Sequence, residues 1–130
     1  MPSTYDQIQF YHLRKKQKNE LIKKLKESLS KEKRIQLVII YGSIIRRNNI
    51  RDIDICIHSA PTLNFQELLD LNAQIELNLG VPVDLVELTN LPPRLRINIL
   101  KNGTLIKGQK TLIQKLLNQA HTEHILAAPS

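Results

Sequence analysis

The chain has 130 residues and a formal charge of +7 at neutral pH, and 42% of its residues are hydrophobic although only 4% are aromatic. This length fits one domain, residues 1–130, with a mainly aliphatic core and leaves little room for a second. The lone cysteine, Cys56, excludes an intrachain disulfide, and the sequence shows neither a signal segment nor the roughly 18-residue apolar run of a membrane span. We therefore expect a cytoplasmic protein whose positive charge favours an anionic partner or substrate.

A basic helix is predicted from about residue 13 to 33. Leu21, Leu25 and Leu29 recur every four residues, which is typical of the buried stripe of an amphipathic helix. Most of the excess positive charge lies between Arg14 and Arg34, interspersed with glutamates. We interpret it as a solvated helix face, with a nucleic-acid-binding patch as the alternative; that alternative predicts binding that falls steeply with salt.

Two strands are predicted next. The apolar run from Leu37 to Tyr41, closed by Gly42, predicts a strand buried on both faces. The segment DIDICIH, residues 52–58, predicts a second strand. Because the connection between them is short, we expect the strands of the sheet not to be all parallel.

The second half of the chain alternates between helices and strands. A helix after residue 64 ends at Gly80 and carries apolar residues at helical spacing, namely Phe65, Leu68, Leu69, Ile75 and Leu79. A strand at Val81 to Leu88, a helix from about Pro93 to Lys101 and an edge strand in TLIKG are predicted next. The last element is an amphipathic helix at about 109–126, whose apolar side is formed by Leu112, Leu116, Leu117 and Ile125. The order predicts an α/β (α+β) fold with a mixed sheet of about four strands packed with helices.

The end of the first strand is a candidate phosphate-binding turn. Gly42 allows the backbone to approach a ligand closely, and the amides that follow can bind an anion, with the Ser43 hydroxyl beside them. The alternative interpretation is an ordinary turn after a strand.

Three aspartates are candidate metal ligands. Asp52 and Asp54 point to the same side of the second strand, and such a pair can share Mg²⁺ ions, although a half-exposed strand shows the same pattern. Asp84 interrupts the apolar third strand, where a charge is costly unless it is paired or bound to metal. If the third strand pairs beside the second, Asp84 faces Asp54 at roughly 5 Å between Cβ atoms.

The set formed by YGS, DID and a single Asp in a later apolar strand resembles the nucleotidyltransferase superfamily related to DNA polymerase beta, over about residues 35–107. The size resembles its minimal members, the MNT group, which are commonly paired with a helical HEPN ribonuclease as antitoxin and toxin. The resemblance implies the nucleotidyltransferase fold and transfer of a nucleoside monophosphate. The most plausible transfer is of AMP from ATP to a hydroxyl, such as a tyrosine of the HEPN partner.

The resemblance also implies roles for individual residues. Asp52 and Asp54 would hold two Mg²⁺ ions, and Asp84 would bind the metal nearer the acceptor and help to deprotonate its hydroxyl. Gly42 and Ser43 would hold the β and γ phosphates. Arginines would neutralise charge on the pyrophosphate, and the candidates are Arg46, Arg47 and Arg51.

One departure from the family pattern lies between the Gly-Ser and the Asp-x-Asp. The segment IIRRNNIR has eight residues, fewer than the family usually has there, so the triphosphate would be held differently. Two other functions therefore stay open. One is an antitoxin that occludes its partner with a weak or inactive site, and the other is a basic nucleic-acid-binding module.

Several other polar residues have ordinary explanations. His121 and His124 have the spacing of metal ligands on a helix but fit a solvated tail, and Cys56 fits a small buried side chain. His58 fits a polar strand end, with a nucleotide contact as its alternative. Glu87 alternates away from Asp84 and is left out of the metal site. Tyr41 either lies beside the nucleotide or packs under the loop.

Overall fold

The structure is a computed structural model that describes residues 4–42, 45–46, 49–50 and 53–127. Side chains are described over residues 16–42 and 53–127. No helix within the described ranges is long and apolar enough to cross a membrane.

The centre of the molecule is a four-stranded mixed sheet. The described strands are β1 (Ile35–Tyr41), β2 (Ile45–Arg46), β3 (Asn49–Ile50), β4 (Ile53–Ser59), β5 (Val83–Glu87) and β6 (Thr104–Lys107). The order in the main sheet is β5-β4-β1-β6, and β2 and β3 form a separate two-stranded ladder. The β1 strand is antiparallel to both β4 and β6, whereas β4 and β5 are parallel. The predicted mixed α/β sheet is confirmed.

Helices cover both faces of this sheet. They are α1 (Thr4–Leu29), α2 (Phe65–Leu79), α3 (Pro93–Asn102) and α4 (Lys110–Ala127), with a 3₁₀ turn at Leu88–Asn90. The start of α2 is fixed by a capping box, because the Asn64 side chain accepts from the Glu67 amide while the Glu67 carboxylate accepts from the Asn64 amide. The helix ends at Gly80, which adopts the left-handed conformation that favours glycine.

Strand alternation divides the core into two aliphatic clusters. On one face, α1 and α2 pack onto β4 through residues such as Leu25, Ile75 and Ile55. On the other face, α3 and α4 pack onto β1 through residues such as Ile99, Leu116 and Ile39. Burial of this aliphatic surface on both sides of the strands is the main stabilising term of such a fold.

The outer edge of β5 is covered by side chains from α2. The backbone N–H groups of Val83 and Leu85 donate to Glu76 Oε1 and Asn72 Oδ1, each at 2.9 Å. These N–H groups belong to a strand at the edge of the sheet, where backbone donors would otherwise face solvent. Two polar side chains thus fasten α2 to the strand that carries Asp84.

Some predicted boundaries differ from the structure. The first helix starts at Thr4 and ends at Leu29 rather than covering about 13–33. Just after the end of the helix, the Ser30 hydroxyl donates to the Glu27 carbonyl. This side-chain bond takes the place of a backbone bond of a further helical turn. The third predicted strand is shorter at both ends. It begins at Val83 rather than Val81, and it ends at Glu87, where the chain passes directly into the 3₁₀ turn.

The apolar positions of two helices were also predicted incompletely. In α2 the buried residues are Leu71, Ile75 and Leu79, whereas Phe65 and Leu69 are exposed. In α4 the predicted Ile125 is exposed as well. Apolar spacing identified these helices correctly but did not distinguish the face that meets the core from a second apolar face.

Candidate active site

Three strands place an acidic pair and a tyrosine side by side. Asp54 on β4 lies directly opposite Asp84 on β5, and Tyr41 at the end of β1 lies opposite Asp54. Directly opposite residues point to the same side of a sheet, with Cβ atoms about 4.5–5.5 Å apart. The predicted pairing of Asp54 with Asp84 is confirmed, and the row lies on the face covered elsewhere by α3 and α4.

Gly42 lies against the acidic pair. Its φ of 73° is left-handed, and a Cβ added to it would sit 2.9 Å from Asp54 Oδ2. Only glycine fits here, because both the backbone angle and the adjacent carboxylate oppose a side chain. The backbone at the end of β1 therefore lies close to the Asp54 carboxylate; the predicted approach to a phosphate stays a prediction.

The two carboxylates differ in exposure. Asp54 is half-buried between β1 and β5, whereas Asp84 is exposed. The expectation that Asp84 sits in an apolar environment is wrong, because β5 is an edge strand and the side of it that carries Asp84 is open to solvent. An exposed carboxylate beside a half-buried one can be reached by a ligand from solution.

The pKa of the Tyr41 phenol is raised in this row of residues. Partial burial raises the pKa of its phenol to about 12, and the nearby charges of Asp54 and Asp84 act in the same direction. The ring is also packed against the α3–α4 cluster. The protonated phenol thus lies at the border between the aliphatic core and the acidic pair.

Part of the predicted site lies outside the described residues. These positions are Ser43, Arg47, Arg51 and Asp52, and of Arg46 only the backbone, in β2, is described. Within the described ranges no group of three or more His, Cys, Asp or Glu side chains is arranged to hold a metal ion. The roles predicted for these residues stay predictions.

The two carboxylates that the structure brings together are suitable ligands for a hard divalent cation. Asp54 and Asp84 offer carboxylate oxygens from facing positions on adjacent strands. Mg²⁺ prefers oxygen ligands and commonly binds through one or two carboxylates while keeping positions for substrate phosphates. An open acidic pair beside a glycine turn therefore suits Mg²⁺ together with a phosphate-bearing ligand.

Glu87, which lies on the same strand as Asp84, has a different environment. Its side chain is fully buried and accepts from the Ser59 amide at 3.2 Å and from the Ser59 hydroxyl at 2.7 Å. His58 Nδ1 lies 3.2 Å from Oε1 of the same carboxylate. The sequence predicted that Glu87 points away from Asp84, but it gave no sign that the carboxylate holds the ends of β4 and β5 together.

The remaining candidates behave as ordinary residues. Cys56 is buried, and burial together with the charge of Glu87 raises its pKa to about 12, so its thiol is protonated and inert. His58 contacts Glu87 at the far end of β4 from the acidic pair. His121 and His124 are exposed on α4.

The sequence matches a known family over most of its length. The profile of the family "Polymerase beta, Nucleotidyltransferase" matches residues 23–112. The chain therefore belongs to the polymerase beta nucleotidyltransferase family. No curated protein is similar enough in sequence to match the chain.

Solved structures with the same fold come from toxin–antitoxin complexes. One is the toxin–antitoxin MntA–HepT, which is 20% identical, covers 83% of this chain and 87% of that chain, and superposes with a TM-score of 0.70. A toxin–antitoxin with AMP-PNP is 23% identical, with coverage of 81% and 87% and a TM-score of 0.71. A third is a tri-AMPylated Shewanella oneidensis HEPN toxin in complex with MNT antitoxin, at 22% identity, 86% and 87% coverage and a TM-score of 0.66.

These likenesses confirm the predicted nucleotidyltransferase fold. The chain shares with these proteins the arrangement of helices and mixed sheet on which the predicted acidic pair lies. The Gly42 turn and the facing aspartates occupy the matched part of the chain, residues 23–112.

Proposed function

We propose that this chain is a Mg²⁺-dependent adenylyltransferase that transfers AMP from ATP to a tyrosine hydroxyl of a HEPN toxin and thereby acts as its antitoxin. The observation that carries the proposal is the direct pairing of Asp54 with Asp84 beside the glycine turn at Gly42. Family membership supports nucleotidyl transfer, and the complexes with AMP-PNP and with a tri-AMPylated toxin support ATP and a HEPN acceptor. We place the reaction in the cytoplasm, as predicted from the sequence.

Each residue has a role in this proposal. Asp54 and Asp84, with Asp52, would hold two Mg²⁺ ions, which would neutralise negative charge on the triphosphate. Gly42 and Ser43 receive the β and γ phosphates through backbone amides and a hydroxyl. We assign the neutralisation of pyrophosphate charge to the arginines of the following loop, Arg46, Arg47 and Arg51.

In the proposed transfer step, Asp84 acts as the base for the acceptor hydroxyl. Its exposed carboxylate accepts the proton of the acceptor hydroxyl as the oxygen attacks the α phosphorus of ATP. The bond from the α phosphorus to the bridging oxygen breaks, and pyrophosphate leaves. The products are an AMP ester of the acceptor and pyrophosphate, and the row of β1, β4 and β5 supplies the alignment.

The test is a calorimetric titration of ATP into the protein with and without Mg²⁺, repeated on Asp54→Asn and Asp84→Asn. We expect metal-dependent binding in the wild type and weakened binding in both variants, with circular dichroism showing that each variant is folded. Binding that does not depend on metal, or that survives both substitutions, contradicts the proposed site. If the folded wild type binds no ATP but binds its toxin, the chain acts by occlusion.

A further inference from the structure

The strand that carries Asp84 lies at the edge of the sheet. It has five residues, Val83–Glu87, and it pairs in parallel with β4. Within the described ranges, no strand lies on its other side. A short strand with one neighbour has fewer ladder hydrogen bonds than a central strand, so other contacts have to fix its position.

The position of β5 matters because the acidic pair exists in one register only. Asp84 lies opposite Asp54 in the observed pairing, with Val83 opposite Ile53. A slip of one residue would turn the Asp84 side chain to the other face of the sheet. Two facing carboxylates also repel each other while no cation lies between them. The register therefore has to be held by contacts other than those of the pair itself.

Two side chains of α2 hold the outer side of β5 at this place. Asn72 Oδ1 accepts from the Leu85 amide, and Glu76 Oε1 accepts from the Val83 amide, each at 2.9 Å. These amides belong to the residues immediately after and immediately before Asp84. Because both neighbours of Asp84 are bonded, the backbone there cannot slide or rotate about the strand axis without losing hydrogen bonds.

The spacing of the two acceptors matches that of the strand. Asn72 and Glu76 are four residues apart on the same side of the helix, which is about 6 Å along its axis. Val83 and Leu85 are two residues apart on the strand, which is about 6.6 Å. The helix runs antiparallel to the strand, since the earlier acceptor bonds the later amide. One side of α2 thus presents two oxygens at the repeat of the outward amides of β5.

The helix that carries these acceptors is itself fixed. Leu71 and Ile75, each one position before an acceptor, are buried in the core. The capping box fixes the start of the helix, and Arg34 forms an ion pair with Glu67 in its first turn. Side chains on a helix that is packed and capped in this way have well-defined positions.

From these contacts we infer that Asn72 and Glu76 are positioning residues for AMP transfer, because they hold β5 in the register in which Asp84 meets Asp54. They act through the backbone from the α2 side of the sheet, whereas Asp84 projects to the side that α3 and α4 cover elsewhere. This inference rests on the proposed function, since it gives both residues a part in the same reaction. It adds a helix on the opposite face of the sheet to the candidate site.

The test compares two asparagines of α2 in the full chain. Asn72 fastens the helix to β5, whereas Asn78 fastens it to α1 by donating to the Lys24 carbonyl at 3.1 Å and to the Ser28 hydroxyl at 2.6 Å. We expect Asn72→Ala to lower kcat for AMP transfer to the purified HEPN toxin by about tenfold or more, with KM for ATP changed less than about twofold. Asn78→Ala should leave both within about twofold. Urea denaturation shows that each variant is folded.

Conservative replacements separate the accepting oxygen from the rest of the side chain. Asn72→Asp and Glu76→Gln each keep an oxygen that can accept from the same amide, so both should retain kcat within about threefold. Glu76→Ala removes the oxygen and should behave like Asn72→Ala. Amide hydrogen exchange by NMR needs neither ATP nor toxin. The Leu85 amide should exchange at least about tenfold faster in Asn72→Ala, and the Val83 amide in Glu76→Ala.

A double-mutant cycle shows whether Asn72 acts through Asp84. The rate that remains in Asp84→Asn should fall less than about twofold further when Asn72→Ala is added, because the carboxylate that Asn72 positions is already absent. A residue that merely stabilised the fold would give the same factor in both backgrounds.

Four outcomes overturn the inference. If both alanine variants keep kcat within about twofold of the wild type, the two bonds serve only the fold, and the proposed function stands. An equal loss of kcat in Asn78→Ala would mean that any loosening of α2 slows the reaction. A full tenfold loss in the Asp84→Asn background would mean that Asn72 does not act through Asp84. A wild type that transfers no AMP to the toxin would overturn the proposed function and the positioning role with it.

Discussion

Asp84 and Glu87 are two carboxylates on one five-residue strand, and their surroundings are opposite. Glu87 is fully buried, accepts from the amide and the hydroxyl of Ser59, and lies against His58 Nδ1. Asp84 is exposed and directly faces another carboxylate, that of Asp54. The first carboxylate accepts hydrogen bonds from groups of the protein itself, whereas the second lies directly beside another carboxylate and is accessible from solution.

This difference separates a carboxylate that holds the fold from one that is available to a ligand. A buried charge is tolerated only when hydrogen bonds or a partner compensate for lost hydration. Facing carboxylates repel each other, so their pairing costs stability unless a cation binds between them. Amide substitutions at the two positions should therefore have opposite consequences for activity and stability.

The largest expected effect is the loss of transfer in Asp84→Asn. In the proposed mechanism Asp84 binds metal and accepts a proton, so its loss should reduce the rate of AMP transfer by roughly 10³-fold, because such groups supply several kcal/mol of transition-state stabilisation. Stability should stay the same or rise slightly, since the repulsion with Asp54 is removed. Radiolabelled AMP transfer to the toxin and urea denaturation measure the two quantities, and a marked loss of stability would contradict the comparison.

Glu87→Gln should have the opposite profile. The amide retains the shape but replaces one accepting oxygen with a donor, so either the Ser59 amide loses its acceptor or the Ser59 hydroxyl must turn from donor to acceptor. We expect a loss of about 2 kcal/mol in the free energy of unfolding. ATP binding by the folded variant should change little, so urea denaturation and calorimetry together check the prediction. A variant as stable as the wild type would mean that this buried network stabilises nothing.

Gly42→Ala should disturb the candidate site more than the fold. A methyl group at a φ of 73° is strained, and it would sit 2.9 Å from Asp54 Oδ2. The expected cost is about 1–2 kcal/mol of stability together with weakened Mg²⁺-dependent ATP binding. Gly80→Ala is the matched control, because it has the same backbone strain at a φ of 74° but no atom within 4 Å of the added Cβ. Equal ATP binding by the two variants would contradict a role for Gly42.

The smallest effect concerns the titration of Tyr41. Because its pKa in the folded state is about 12, against an ordinary value of 10, the phenol should stay protonated when exposed tyrosines ionise. The unfolded chain releases this proton first, so the contribution to stability is complete below pH 10 and is lost as the pH rises through 12. Difference absorbance at 295 nm with Tyr41→Phe as reference isolates this phenol. Asp84→Asn should shift the titration toward pH 10, and an unshifted curve would mean that the two groups do not interact.

The pairing of the two facing aspartates could be predicted because strand alternation and pairing are simple rules. Asp54 and Asp84 were expected to face each other once their strands were adjacent, and they do. The short β2–β3 ladder inside the segment between Gly-Ser and Asp-x-Asp could not be found, because two-residue strands have no period. The network around Glu87 was also missed, since Ser59 and His58 are brought to this carboxylate only through the register of β4 with β5.

The outer face of α2 shows a second limit of sequence patterns. Leu68, Leu69 and Phe65 are of the apolar residue types found in cores, but only contact with the sheet decides which of them are buried. The core needs one face of α2, and the sequence makes two faces apolar. A pattern of apolar residues identifies surfaces that avoid water and does not identify the molecule that covers them.

The bonds from Asn72 and Glu76 to β5 also bear on how the protein avoids aggregation. Exposed strand edges act as templates on which other chains add strands, and short or obstructed edges prevent this. Here the outward amides of Val83 and Leu85 already have acceptors, so an incoming strand would have to displace two side chains before it could accept hydrogen bonds from them. Two side chains of α2 thus obstruct the edge of β5 and make intermolecular strand addition less favourable.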